Sequence, residues 1–420
     1  MTSDLKKSNE IPQLIAFYLP QFHPTVENDK WWGKGFTEWT NVTKSSPLFE
    51  GHYQPHLPAD LGFYDLRVEE VQKEQVEMAR LYGIDGFCYH YYWFSGVRVL
   101  NKPLDSMLTN KSIEMPFCLS WANENWTRRW DGQDKEILLD QKYLTTDDLN
   151  FIKSLVPFFK DDRYIRVEGA LLLIVYKPQD LPNPRKSVAL WREYCREEGL
   201  GELHVCAALT YGNDTYAHWG FDSGVEFPLH NHPYGGINKY IAFFSPFRGI
   251  LFQYSNVARH YLGRKYKDLP VFRCVLPSWD NTARRGDRAT VILNGTPNNY
   301  EVWLSETVRR ARTTPENYGR LIFINAWNEW AEGCHLEPDR RYGRNFLEAT
   351  RTAKYGVSKL DNFPDISLPA SKPRHFLADL FEVLKYHSWI SWDWIKMLII
   401  RSPTAKYLAG KIIYLFRKLL

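Results

Sequence analysis

Two carboxylates three positions apart are the clearest chemistry in this chain. Residues 325–339 read NAWNEWAEGCHLEPD, with Glu329 and Glu332 on either side of Trp330 and Ala331. Two carboxyl groups held close cannot both ionise freely, so one keeps its proton near neutral pH while the other stays charged. An acid beside a base is what cleavage of a glycosidic bond needs. Trp327 and Trp330 are placed to wall the pair with apolar surface, which raises a carboxyl pKa further, and to stack on sugar faces. An isolated E-x-x-E on a helix is ordinarily a solvated pair, so its meaning depends on the element that carries it.

That element is the last of eight short apolar runs. They lie at 14–22, 83–94, 115–121, 170–176, 203–209, 221–227, 271–276 and 321–327. Most are continuously apolar rather than alternating, as parallel strands covered on both faces are. Amphipathic helix candidates separate many of them, at 65–82, 147–159, 187–198 and 300–313. Eight strands alternating with helices predict a closed (β/α)8 TIM barrel of the α/β class. The alternative, an open doubly wound sheet, would carry a Gly-rich phosphate loop after its first strand in a dinucleotide-binding form, and the sequence has none.

A barrel builds its active site at the C-terminal ends of its strands. Those ends turn polar and aromatic here, which marks the substrate-binding candidates. They are Tyr18 and His23 from the first run, Trp39 from the long connection 23–64, and His90, Tyr91 and Tyr92 from the second. Trp121, Asn123, Glu124 and Trp126 follow the third, Tyr211 the fifth and Glu226 the sixth. Trp279 follows the seventh, and Asn328 and Trp330 the eighth. The connection 23–64 also holds Trp31, Trp32 and Glu38, and loops this long are often functional. Two readings stay open beside these. Arg128 and Arg129 suit an anionic substrate group or solvent. His230 and His232 hint at a metal but lack a third ligand at suitable spacing, so the expectation is no metal and no cofactor.

Composition narrows the class. The chain has 420 residues, 53 Lys and Arg against 49 Asp and Glu, and a formal net charge of +4, a weak signal for nucleic acid. Apolar residues make up 44%, enough for a large core and against global disorder. No run of 18 apolar residues suggests a membrane span, and the first residues lack the apolar stretch of a signal peptide. Six scattered cysteines without a CxxC pair read as reduced, buried thiols of a cytoplasmic protein, with Cys334 alone beside the acidic motif. The expected domains are a barrel over 1–365 and a basic amphipathic helical segment over 366–420. Within 376–420, seven Lys and Arg stand against three acids among Trp, Tyr and Ile. Such a segment lies peripherally on an inner membrane face or packs against protein.

Taken together, the stretches 15–23 (IAFYLPQFH), 31–41 (WWGKGFTEWTN), 83–92 (GIDGFCYHYY), 121–130 (WANENWTRRW) and 327–339 (WNEWAEGCHLEPD) resemble the glycoside hydrolase family 99-like proteins of the WbsX type. The resemblance spans about residues 12–355. Genes of that family often sit with bacterial genes for O-antigen and capsular polysaccharide. The resemblance implies a retaining, α-mannosidase-like glycosidase or transglycosidase on a (β/α)8 barrel. Its substrate would be a cell-surface polysaccharide or its lipid-linked precursor. It also implies the roles: Glu329 deprotonates a sugar 2-hydroxyl to give a 1,2-anhydro intermediate, and Glu332 serves as acid, then base. WbsX-type proteins are also described as glycosyltransferases in polysaccharide biosynthesis. That reading, and a non-catalytic carbohydrate-binding role, stand as alternatives, although no DxD-type metal motif is present.

Overall fold

The computed structural model describes residues 11–356, apart from 129–132, 211–215, 230–235, 239–240, 267–269 and 314–319. The basic segment 376–420, Tyr211, His230, His232 and Arg129 lie outside the described residues, as does the side chain of Arg128. Among the described residues, no helix is long and apolar enough to cross a membrane.

Eight parallel strands close into a barrel. They are β1 (Gln13–Tyr18), β2 (Gly86–Phe94), β3 (Phe117–Trp121), β4 (Ala170–Val175), β5 (Leu203–Leu209), β6 (Ser223–Glu226), β7 (Val271–Val275) and β8 (Leu321–Ile324). Each pairs with its sequence neighbours, and β1 closes the ring by pairing with both β2 and β8. Ala16 lies opposite Phe87 on one side and Ile324 on the other. The strands form where the apolar runs predict. β4 (ALLLIV) shows why: five of its six residues are buried, because helices cover the outer face while the packed interior covers the inner one.

The helices sit between strands, at Glu69–Leu81, Asp147–Phe159, Pro184–Glu197 and Pro297–Thr313. In the first, Glu69 and Glu70 occupy the N-terminal turn and Arg80 the last, as the helix dipole favours. Its buried face is Gln72, Gln75, Val76 and Ala79, with Val71 and Leu81 packed against the core at its edge; Val68 precedes the helix and is exposed. Gln75 faces inward because it has buried polar partners there, Tyr18 and Glu337.

The long first connection is folded. It forms two short helices, Val26–Trp32 and Glu38–Lys44, the first capped by the Thr25 hydroxyl. A small three-stranded sheet, Ile250–Gln253, Thr290–Leu293 and Trp279–Asp280, stands beside the barrel after β6 and β7. All six cysteines are unpaired and buried.

Candidate active site

The chain leaves β8 into a minimal hairpin. Asn328–Glu329 pairs antiparallel with Cys334–His335, and the single turn Trp330–Glu332 joins them. Gly333 ends that turn in the left-handed region at φ 55°. A Cβ there would meet the backbone of Asp280 at 3.1–3.2 Å, so both the turn and its packing require glycine. This hairpin places Glu329 and Glu332 on one short turn. Cys334 lies opposite Glu329 in it and is fully buried.

Arg284 holds the two carboxylates together. Its Nη2 donates to Glu329 Oε1 at 2.8 Å and its Nη1 lies 3.0 Å from Glu332 Oε1. A third carboxylate, Glu38 from the first connection, lies 3.2 Å from Nη2 and is buried. The turn Thr282–Arg285 carries Arg284 and is itself anchored. Asp280 accepts from the Thr282 backbone N–H at 3.0 Å and pairs with His52 at 2.6 Å.

Three carboxylates around one guanidinium cannot all be ionised at low cost in a buried place. Burial pushes Glu329 well above the ordinary carboxylate range, and Glu332 and Glu38 add to this against the pull of Arg284. Burial also raises Glu332, with Arg284 opposing. Glu332 is the more open of the two, its side chain 21% exposed against 8% for Glu329. The upward push is stronger on Glu329, the residue the resemblance casts as the base. The Arg284 cation is fixed by Glu329, Glu38 and Glu332 despite its burial.

The pair opens into a cavity of about 170 Å³. Its lining includes Gln21, Trp31, Trp32, His90, Tyr92, Glu124, Asn125, Trp126, Tyr176, Phe227, Arg284 and Asn325 besides the two glutamates. Gln21 Nε2 donates to the Tyr92 hydroxyl at 2.6 Å, and Gln21 Oε1 lies 3.4 Å from Arg284 Nη2. Burial, with Arg284 adding to it, lowers His90 to about 4, so its imidazole is neutral at pH 7. Lys177 pairs with Glu124 at 2.8 Å. Trp31 meets Trp126 edge-on at 5.8 Å, and Trp126 packs on Tyr92 at 5.2 Å. The walls are thus aromatic and the floor acidic.

Of the residues singled out in the sequence, Glu329, Glu332, His90, Tyr92, Glu124 and Trp126 come together here. Among the described residues, the other substrate-binding candidates lie elsewhere. Tyr91 alternates with its neighbours and faces outward, its hydroxyl bonding Ser154 at 2.9 Å. Trp121 stacks on Phe151 at 3.9 Å in the helix layer. Asn123 ties down the loop after β4 through Lys177. Glu226 pairs with Arg273 at 2.7 Å, outside the cavity. Tyr18 bonds Gln75, and Asn328 clamps the backbone of Leu19 at 2.8 and 3.0 Å. His23 and Trp39 are buried in the first connection, and Trp279 belongs to the small sheet.

Neither tryptophan of the acidic motif is a sugar platform. Trp327 is fully buried on Phe87. Trp330 stacks on His335 at 3.8 Å and donates Nε1–H to Glu337 at 2.6 Å. Glu337 also accepts from Tyr64 at 2.7 Å and Gln75 at 2.6 Å, and burial lifts it to about 7. This buried network supports the hairpin from below. The residues that sequence reasoning missed are Arg284, which stands in an ordinary-looking TARR run, and Tyr176, Phe227 and Asn325. Gln21, Trp31, Trp32 and Glu38 carried a signal, as polar and aromatic residues in the first strand's tail and an over-long connection.

The family profile described as Glycosyltransferase WbsX matches residues 14–350. A relative from Xanthomonas campestris pv. campestris (strain B100), described as uncharacterized protein WxcX, is 43% identical over 361 residues. The match covers 86% of this chain and 51% of that protein, and the WxcX protein of strain ATCC 33913 matches to the same extent. The chain thus spans about half the length of the curated relatives it matches. Among solved structures, a glycoside hydrolase-like protein superposes with a TM-score of 0.55 at 14% identity, over 83% of this chain and 95% of that one. The GH99 endo-α-mannosidase from Bacteroides thetaiotaomicron, in complex with bis-tris-propane, gives 0.51 at 14% identity, over 81% and 96%. At these identities the likeness is one of fold.

Proposed function

The chain belongs to the WbsX family, and from that premise we propose that it is a carbohydrate-active enzyme in which Glu329 and Glu332 make and break glycosidic bonds. The reading is a retaining, α-mannosidase-like glycosidase or transglycosidase acting on a cell-surface polysaccharide or its lipid-linked precursor. The observation that carries it is the Arg284 guanidinium joining Glu329 and Glu332 at the base of an aromatic cavity.

In this reading Glu329 takes the proton of the sugar 2-hydroxyl while that oxygen attacks C1. Glu332 gives its proton to the departing glycosidic oxygen. Water or an acceptor hydroxyl, deprotonated by Glu332, then opens the 1,2-anhydro sugar at C1, and Glu329 returns its proton to O2. Before substrate binds, burial favours a proton on Glu329. A 2-hydroxyl donating to Glu329 stabilises its ionised form, which moves the proton to Glu332, where the acid is needed. Arg284 keeps the pair close throughout and limits the charge cost.

The alternative is transfer from a nucleotide-sugar donor, which the family's description favours. The cavity charge speaks against it. Among the described lining residues, Arg284 is the one cation and is taken up by Glu329, Glu332 and Glu38, while Glu124 is paired with Lys177, so no basic surplus faces the cavity. A diphosphate calls for the reverse balance, with basic side chains or a helix N-terminus facing it.

The test is mass-spectrometric. The protein and its Glu332→Gln variant are incubated with α-mannosides and with oligosaccharides of the source polysaccharide. Cleaved or transferred products from the intact protein alone support the reading. Products that require an added nucleotide sugar support the alternative.

A further inference from the structure

Outside the cavity, the first connection meets the β8 hairpin and the loop after it at three buried side chains, His56, His335 and Asp339. One ring nitrogen from each histidine and one carboxylate oxygen lie within 4.8 Å of one another. His56 Nδ1 is 3.0 Å from His335 Nε2, which is 3.8 Å from Asp339 Oδ2.

The tautomer of His335 follows from its other nitrogen. Nδ1 lies 2.9 Å from the backbone carbonyl of Glu337, which only accepts, so Nδ1 carries the hydrogen. Nε2 therefore presents a lone pair to His56 and Asp339. Asp339 is aimed at the same point: its Oδ1 takes the backbone N–H of Arg341 and Tyr342 at 2.9 and 2.5 Å, leaving Oδ2 turned inward. A hydrogen shared between the two histidines accounts for the 3.0 Å contact. It leaves Asp339 Oδ2 3.8 Å from an imidazole lone pair, with the Tyr53 hydroxyl as the other side-chain neighbour of the carboxylate.

A cation fits that arrangement. Ligands at about 2.0–2.1 Å from a tetrahedral ion are separated by about 3.4 Å, and the two spacings here, 3.0 and 3.8 Å, bracket that edge. The carbonyl-bound Nδ1–H of His335 is the outer contact that orients metal-bound histidines. Two imidazoles and one carboxylate suit zinc among the common divalent ions.

We propose that His56, His335 and Asp339 hold one divalent transition-metal ion, Zn²⁺ by ligand chemistry, as a structural site that fastens the first connection to the loop bearing the catalytic pair. Backbone contacts run beside it: Ala59 N–H donates to Pro338 at 2.9 Å and Arg340 N–H to Leu57 at 2.9 Å. The His335 ring also supports Trp330, which stands between Glu329 and Glu332. The ion would thus set the hairpin's position without touching substrate.

The experiment is elemental analysis by inductively coupled plasma mass spectrometry. The untagged full chain is produced in zinc-supplemented medium and purified without chelator, beside His56→Gln and Asp339→Asn. The expected result is about one zinc per chain in the parent and less than a tenth of that in either variant. A strong chelator should lower the parent's Tm, and added Zn²⁺ should restore it. Background metal in the parent, with a Tm that neither chelator nor Zn²⁺ moves, overturns the proposal. So does equal metal in parent and variants, which places an adventitious ion elsewhere. If the variants do not fold, X-ray absorption on the parent decides. A first shell of two imidazole nitrogens and a carboxylate oxygen supports the site, and sulfur ligands or water alone contradict it.

Discussion

Arg284 donates to Glu329 at 2.8 Å from a turn nearly fifty residues upstream in sequence, and the same guanidinium reaches Glu332 at 3.0 Å. One cation therefore sets both the spacing and the charge of the carboxylate pair. Three acids sharing it leave a proton to be placed, and in the proposed mechanism that proton serves as the acid.

Removing the cation tests this directly. Arg284→Met leaves buried carboxylates without a partner, which costs about 3–5 kcal/mol when a buried pair is broken. We expect a large fall in the urea midpoint. Activity should fall with it, and its acid limb should move to higher pH, since the lost cation no longer favours the ionised carboxylates. Arg284→Lys restores the charge but not the two-pronged grip, and should recover stability better than turnover.

Gly333 should be as unforgiving as the charged residues. At φ 55°, with Asp280 within about 3 Å of any added Cβ, Gly333→Ala carries backbone strain of about 1–2 kcal/mol plus the displacement of Asp280. Because Asp280 anchors the turn carrying Arg284 through the Thr282 backbone N–H, the variant should lose kcat beyond its loss of stability, read by steady-state kinetics beside thermal unfolding. A variant with parental kcat would show that the hairpin and the Arg284 turn are not coupled.

The aromatic wall should act on binding. Trp31 and Trp126 line the cavity and meet edge-on. Trp31→Ala is expected to raise KM roughly tenfold, the equivalent of about 1.4 kcal/mol, with kcat nearly unchanged. Tyr91→Phe is the control: it removes the outward bond to Ser154 and should cost about 1 kcal/mol of stability while leaving both kinetic constants unmoved.

How much of this was legible in the chain differs by element. The eight strands were, because strands buried on both faces write themselves as continuous apolar runs. The same feature hid which residues face the cavity. In HYYW at 90–93 every residue is large, and only the strand's alternation puts His90 and Tyr92 inside and Tyr91 outside. The paired glutamates stood out through spacing and position. Arg284 did not, since a long-range ion pair leaves no local pattern and TARR resembles any solvated turn. The motif tryptophans misled in the opposite sense. Their size suits sugar stacking, but Trp330 finds a buried partner in Glu337, seven residues on, and turns away from the cavity.

Acid stability offers a test at His23. Its ring is buried, and burial lowers it from 6.5 to about 4. A depressed histidine favours folding fully above its unfolded pKa and loses that contribution as pH falls toward the folded value. Between pH 7 and pH 5 the loss should approach about 2 kcal/mol. His23→Gln should therefore show a shallower fall in urea midpoint over that interval. A parallel fall would mean that the folded imidazole titrates near its ordinary pKa.

The most direct measurement of the central claim is the anomeric configuration of the first-formed product, followed by proton NMR during turnover of an α-mannoside, with Glu329→Gln and Glu332→Gln beside the parent. The account predicts a retained α product from the parent and a loss of at least a hundredfold in each variant. Inversion, or turnover that survives either substitution, would contradict it.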